Sequence, residues 1–166
     1  MLFRSSVGGY DTLIGNGGND TLIDQGYNAT LRGGAGDDTY ILYNVPYDNH
    51  MSPVEEADAG TDTVVTNGYL TLGDNIERVR ALESTNCFFV GNALDNRMAG
   101  GGGDDRLDGG AGADQMAGMG GNDIFIVNST GDRVIEAAGG GVDTVYASIN
   151  FVLPSQVENL VLDGSS

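Results

Sequence analysis

Cysteine occurs once, at Cys87, so no internal disulfide can staple the chain. Histidine also occurs once, at His50, and tryptophan and lysine do not occur. One imidazole cannot make an H-E-x-x-H zinc motif, no nucleophile elbow is present, and no histidine beyond His50 is available for a catalytic triad. His50, beside Asn49, Met51 and Ser52, reads as a surface loop residue. No apolar run approaches the roughly 18 residues that span a bilayer. The opening MLFRSSVGG lacks a signal-peptide core, so export would take another route. Positive charge is scarce as well: seven arginines face 24 acids, for a net charge of −17. Such a surface repels nucleic-acid phosphate and anionic lipid and attracts cations. A disordered acidic tail would share that balance, yet 40% of the residues are hydrophobic and they recur at fixed spacing.

Glycine is abundant, with 28 residues, most of them in two arrays with a nine-residue frame. Residues 100–126 read GGGGDDRLD, GGAGADQMA and GMGGNDIFI, with Gly at positions 1 and 4, Asp at 6 and a bulky apolar residue at 8. GNALDNRMA precedes them, giving an array over residues 91–126. SVGGYDTLI, GNGGNDTLI, DQGYNATLR and GGAGDDTYI form another over 6–41, its third copy decayed at Tyr27 and Ala29. Residues 42–90 and 127–166 are connectors, and they are related to each other. VEEADAGTDTVV from Val54 aligns with IEAAGGGVDTVY from Ile135, and Ile76-Glu77 aligns with Val157-Glu158. The offset is 81 residues in the connectors and 85 in the arrays, which places an insertion around Pro46 to Pro53. Two copies of one such unit predict a single continuous solenoid, and a third unit would begin after Asp163–Ser166.

Helix is disfavoured, because each interior glycine costs about 1 kcal/mol; only Val54–Asp58 could hold a helical turn. Connector runs such as DTVYASINFVL read as short strands. Each nonapeptide divides into a six-residue turn, where glycines at 1, 2 and 4 permit positive φ, and a three-residue strand pointing out, in, out. The inward residues are then Leu13, Leu22, Leu31 and Tyr40, followed by Met98, Leu107, Met116 and Phe125, all apolar. Outward position 9 carries Ile14, Ile23, Ile41 and Ile126, a row expected to pack against a connector or a partner. A flattened coil takes two nonapeptides per circuit and stacks Asp20 over Asp38 and Asp105 over Asp123, about 4.8 Å apart. Bare carboxylates that close repel by roughly 1 kcal/mol even in water. One inward side chain per nine residues buries too little apolar surface to offset the ordering of nine residues. A cation between turns supplies what is missing. Carboxylate and carbonyl oxygens without imidazole or thiolate select a hard ion, and a flexible cage suits calcium over magnesium.

Pairing each turn with the next but one gives the ligand candidates. Gly100, Gly102, Gly103, Asp104 and Asp105 face Gly118, Gly120, Gly121, Asn122 and Asp123. In the first array Gly15, Gly17, Gly18, Asn19 and Asp20 face Gly33, Gly34, Ala35, Gly36, Asp37 and Asp38. A third pair sets Asn96, which lacks a carboxylate, against Gly109, Gly110, Ala111, Gly112, Ala113 and Asp114. A fourth sets Asp11 against Ala29, with Asp24 or Asn28 as the substitute acid or amide. The expected cofactor is therefore Ca2+ in two complete sites, one weakened and one incomplete.

Both arrays resemble the RTX, or haemolysin-type, calcium-binding repeats of secreted bacterial proteins, and GTDTV at Gly60 and VENLVL at Val157 resemble the spacers between such arrays. The resemblance implies an all-β, right-handed parallel β-roll or β-solenoid, type I secretion, and folding on meeting calcium outside the cell. It also implies that the position-6 aspartates and turn carbonyls are the ligands. Ala29, Asn96 and Cys87, which stands where a preceding repeat would place its acid, depart from the pattern. An enzyme is not expected: Glu55 and Glu56 could do acid–base work, but neighbours point apart on a strand. The alternative is a module that binds acidic polysaccharide, since Arg78 and Arg80 share a strand face and Arg97 and Arg106 recur on neighbouring coils.

Overall fold

The computed structural model describes residues 3–6, 10–26, 29–43, 53–83 and 85–163. His50, most of the insertion that follows Pro46, Tyr27 and Asn28 lie outside the described residues. Glycine-interrupted runs of three to six residues give only strands among those described. In chain order they are β1 (Phe3–Ser6), β2 (Thr12–Gly17), β3 (Thr21–Asp24), β4 (Thr30–Ala35), β5 (Thr39–Leu42), β6 (Thr63–Thr66), β7 (Tyr69–Thr71) and β8 (Arg78–Ala81). They continue as β9 (Phe88–Val90), β10 (Arg97–Ala99), β11 (Arg106–Asp108), β12 (Gln115–Ala117), β13 (Ile124–Val127), β14 (Arg133–Ile135), β15 (Thr144–Ala147) and β16 (Asn159–Leu162).

Within the arrays, successive strands alternate between two facing walls, and every pairing is parallel. One wall is the eight-stranded sheet β1-β3-β5-β6-β8-β10-β12-β14. The other is the pair β2-β4 and the six-stranded sheet β16-β15-β13-β11-β9-β7. The fold is a parallel β-solenoid. In the arrays the coil is 18 residues, as Thr12 opposite Thr30 and Leu107 opposite Phe125 show. In the first connector it lengthens and then shortens, with Thr63 opposite Thr39 and then Arg78 opposite Thr63. Val54–Asp58 makes no helical turn. The Val54 N–H donates to the Leu31 carbonyl (2.9 Å), so this segment lies on β4 before turning at residues 57–58.

The position-8 side chains fill the space between the walls, and all eight expected inward residues are buried. The connectors extend both columns. Leu22, Tyr40, Val64, Val79, Met98, Met116 and Val134 follow one another in register on one wall. Leu70, Phe89, Leu107, Phe125, Val145 and Leu160 do so on the other. The outward isoleucines pair across strands: Ile23 lies opposite Ile41 and Ile41 opposite Val65.

Arg97 and Arg106 do not share a face. Nonapeptides nine residues apart stand on opposite walls, so Arg97 lies opposite Arg78. Arg106 lies opposite Phe88, with its guanidinium carbon 5.2 Å from the ring centre, and that ring stacks on Tyr69 at 4.4 Å. Phe125 is fully buried; Phe125→Ala is expected to lower the unfolding free energy in saturating calcium by about 3–5 kcal/mol. Met119→Ala, at a position 50% exposed, should change it by about 0.5 kcal/mol or less. Urea titration of the two variants checks the contrast.

Candidate metal centre

Positions 5 and 6 of each turn stitch the coils together in opposite directions. At position 6 the carboxylate Oδ1 accepts the N–H of the matching residue one coil earlier: Asp20 N–H to Asp38 (2.7 Å), Asp38 N–H to Asp62 (2.8 Å) and Asp105 N–H to Asp123 (2.8 Å). The ladder runs on from Asp123 N–H to Asp143 (2.8 Å), and on the other edge from Asn96 N–H to Asp114 (2.8 Å) and Asp114 N–H to Asp132 (3.0 Å). At position 5 the bond points the other way, from Asp37 N–H to Asn19 Oδ1 (3.0 Å), Asp104 N–H to Asn86 Oδ1 (3.0 Å) and Asn122 N–H to Asp104 Oδ1 (2.7 Å). The stacked carboxylates expected to repel are therefore tied, through one oxygen each, to the neighbouring backbone. Bonds from an amide to an ionised acceptor contribute roughly 1.5–3 kcal/mol.

The second oxygen depends on the turn. In the turn from Gly100, position 2 has no positive φ, and Gly101 N–H closes on Asp105 Oδ2 at 2.6 Å. Asn92 N–H closes on Asn96 Oδ1 in the same way (2.9 Å). In the turns from Gly33, Gly109 and Gly118 the position-2 residues Gly34, Gly110 and Met119 take φ of 95°, 81° and 80°. That rotation accompanies a lost donor, and Asp38 Oδ2, Asp114 Oδ2 and Asp123 Oδ2 are buried with no hydrogen-bond partner. Position 1 is glycine for want of space, not for φ. A Cβ on Gly33 would strike Asp38 Oδ2 and the Tyr40 hydroxyl, and one on Gly118 would strike Asp123 Oδ2 and Glu136 Oε2.

Two of these oxygens have company. Asp38, Glu55 and Asp62 place one carboxylate oxygen each within 4.8 Å of the others, and so do Asp123, Glu136 and Asp143. In both groups the free oxygens, three Oδ2/Oε2 atoms per group, accept no hydrogen bond. Asp38, Glu55 and Asp62 are 1%, 7% and 1% exposed. The other carboxylate oxygens are engaged: Asp62 Oδ1 by Asp38 N–H and Glu55 Oε1 by Gly33 N–H (3.1 Å), which also donates to the Tyr40 hydroxyl (2.6 Å). Three convergent carboxylates, each with an oxygen that accepts no hydrogen bond, fit a divalent cation of the calcium type.

The turns paired by the repeat differ in what their side-chain oxygens do. Asp20 stacks with Asp38, and Asp105 with Asp123, but Asp105 has both oxygens occupied: Oδ1 takes Cys87 N–H (2.7 Å) and lies 3.0 Å from its Sγ. Asn19, Asp37, Asp104 and Asn122 spend their side chains on the position-5 ladder. Gly18, Gly36, Gly103, Gly112 and Gly121 sit in the turns, and Cβ atoms on Gly36, Gly112 and Gly121 would meet the backbone of the adjacent coil. Gly15, Gly100 and Gly109 press against the Oδ2 of their own turn's aspartate. Gly17 and Ala35 pair with each other at the ends of β2 and β4, Gly102, Ala111, Ala113 and Gly120 lie in the turns, and among the described residues no carboxylate cluster of three includes a neighbour of theirs on the outer edge. Ala29 is buried in the core, Asp24 Oδ1 caps Gly26 N–H (2.9 Å), and Asp11 joins no such cluster. Glu55, Asp62, Glu136 and Asp143 stand outside the set of ligands expected from the arrays. Their signal lies in the connector alignment, in which Gly60-Thr61-Asp62-Thr63-Val64 repeats positions 4 to 8 of a nonapeptide and Val54-Glu55 aligns with Ile135-Glu136.

Burial raises the six acids of the two groups and Asp114. It pushes Glu55 up to about 7, helped by the Asp62 and Asp38 charges, and Asp62 up to about 6, helped by Asp38. Burial and then the Asp105 and Glu136 charges push Asp123 up to about 7, and burial with the Asp132 charge pushes Asp114 up to about 6. Asp38, Glu136 and Asp143 rise for the same first reason. Carboxyls whose folded values exceed their unfolded ones, near 4, favour the fold fully below that value and lose the contribution as pH rises through 6 to 7. In chelator, lowering pH from about 8 to about 5 is expected to increase β-structure by far-UV circular dichroism; a flat profile would contradict the burial of these groups.

The four-copy family of the RTX calcium-binding nonapeptide repeat matches residues 8–23, 14–41 and 90–125. No curated protein and no solved structure gives a significant match.

Proposed function

We propose that this chain, whose two arrays are RTX calcium-binding nonapeptide repeats, is a non-catalytic folding and spacer module of a larger secreted bacterial protein. The carrying observation is the row of buried position-6 carboxylates whose second oxygens, at Asp38, Asp114 and Asp123, accept no hydrogen bond. Without a cation such oxygens oppose burial; with one they become ligands. Extracellular calcium modules work at about 10⁻⁴ to 10⁻³ M, far above cytosolic free calcium. Inside the cell the net charge of −17 keeps the chain extended, as passage through a type I secretion channel requires. Outside, metal supplies the folding free energy. Circular dichroism at neutral pH is expected to show coil in chelator and β-structure in millimolar calcium, and identical spectra would end this reading.

A specific surface favours a second reading, as an appendage that binds acidic polysaccharide. Arg78, Arg80, Arg97 and Arg133 are exposed on the outer face of the eight-stranded sheet. Arg97 lies opposite Arg78 and Gln115 opposite Arg133. Thr63, Arg78, Arg80, Arg97 and Ala99 line one concavity. Rungs about 4.8 Å apart present these cations in a row to a polyanion. On a glycan array in calcium, retention of acidic polysaccharide is expected for the parent chain and its loss for Arg78→Gln/Arg97→Gln; equal signals from both would remove this reading.

A further inference from the structure

We propose that the two carboxylate triads are a separate class of cation site, a pair of clamps that fasten each connector to the array before it. The proposal rests on the calcium-binding reading and goes beyond the repeat, because two of the three acids in each clamp come from outside it.

The first clamp joins three pieces of chain. Asp38 ends the last turn of the first array, immediately before β5. Glu55 arrives on the return segment that lies on β4 through the Val54–Leu31 bond. Asp62 precedes β6, the first connector strand. One ion between their Oδ2, Oε2 and Oδ2 atoms holds β4, β5, the return segment and β6 together where no full glycine turn does so. The second clamp repeats this with Asp123 before β13, Glu136 after β14 and Asp143 before β15. The aspartate of the array recurs at an offset of 85 residues and the two connector acids at 81, matching the offsets of the two parts of the duplicated unit.

The ligand class follows from the atoms present. Three carboxylates in reach of one point give a formal charge of −3, with no nitrogen or thiolate near. Strictly octahedral magnesium keeps its waters, whereas calcium accepts a carboxylate-rich and irregular shell. Within the arrays the turns bring at most two position-6 acids together. The clamps are thus the strongest sites and fill first as calcium rises. The Tyr40 hydroxyl, which meets the same space as Asp38 Oδ2 over Gly33, belongs to the first clamp alone, because Phe125 occupies the equivalent place in the second.

Calorimetric titration of the whole chain with calcium, and with the variants Glu55→Gln and Glu136→Gln, separates the possibilities. The amide keeps an acceptor for Gly33 N–H and removes one charge. Each single variant is expected to lose one ion from the tightest class and the double variant two, with the calcium midpoint of folding raised about tenfold or more. An unchanged count and affinity in the variants, with a parent chain that still folds on calcium, overturns the clamps and leaves the calcium reading intact. A parent chain blind to calcium overturns both. A purely structural role gives a third signature, which also overturns the clamps: the variants would gain β-structure in chelator, from relief of repulsion, without any change in ions bound. Should the double variant fail to fold in calcium, the single variants decide, since each leaves the other clamp whole.

Discussion

The fold depends on a carboxylate that does two things at once. At position 6 one oxygen holds the amide of the preceding coil, at 2.7 to 3.0 Å along both edges of the solenoid, and the other faces the buried glycine at position 1. The first bond fixes the register of one coil on the next. It does so by drawing an anion into a space from which water is excluded, so each added coil adds both a tie and a charge. A neutral side chain of the same shape stitches without that conflict: Asn96 Oδ1 takes Asn92 N–H, and its Nδ2 donates to the Ile76 carbonyl at 3.1 Å. Asparagine at position 6 builds the coil; aspartate builds it and makes it conditional on its charge being offset, by a cation or by a proton.

Backbone conformation decides which aspartates remain conditional. In the turn from Gly100 the position-2 amide satisfies Asp105, so that coil closes on its own hydrogen bonds. In the turns from Gly33, Gly109 and Gly118 the positive φ at position 2 goes with an acid that has no such donor. Met119 adopts φ of 80° without glycine's freedom, at a position where L residues are uncommon. Strain accepted at that residue coincides with an available Asp123 oxygen, which links a local backbone choice to the chemistry of the site.

Much of this was legible in the sequence because it follows from a period. Nine residues per turn and strand, two walls, and an 18-residue coil give the inward side chains and the stacking of Asp20 on Asp38 directly. The same rule, applied consistently, separates Arg97 from Arg106, since residues nine apart stand on opposite walls; reading them as neighbours ignored it. The position-5 ladder was not legible, because Asn and Asp at a glycine turn have many uses and only the stacked backbone shows which amide they meet. In the sequence Glu55 is one of two adjacent acids, with Glu56. Its value comes from its partner Glu136 in the duplicated unit and from the path of residues 53–56 across β4, which no local pattern encodes.

In the connector coils glutamate takes the aspartate's place in the ladder. Asp62 N–H donates to Glu77 Oε2 and Asp143 N–H to Glu158 Oε2, both at 2.8 Å and both across 15 residues instead of 18. A coil three residues shorter has no room for the full glycine turn, yet its acid keeps the register of the stack, since Arg78 lies opposite Thr63 and Asn159 opposite Thr144. Removing the carboxylate at either place would leave a part-buried N–H without its acceptor, at a cost of about 1–3 kcal/mol. Since a solenoid is held only by contacts between successive coils, a break there would separate one unit from the next. The bond from amide to carboxylate is therefore kept where the glycine turn is not, and it carries the stack through a coil of another length.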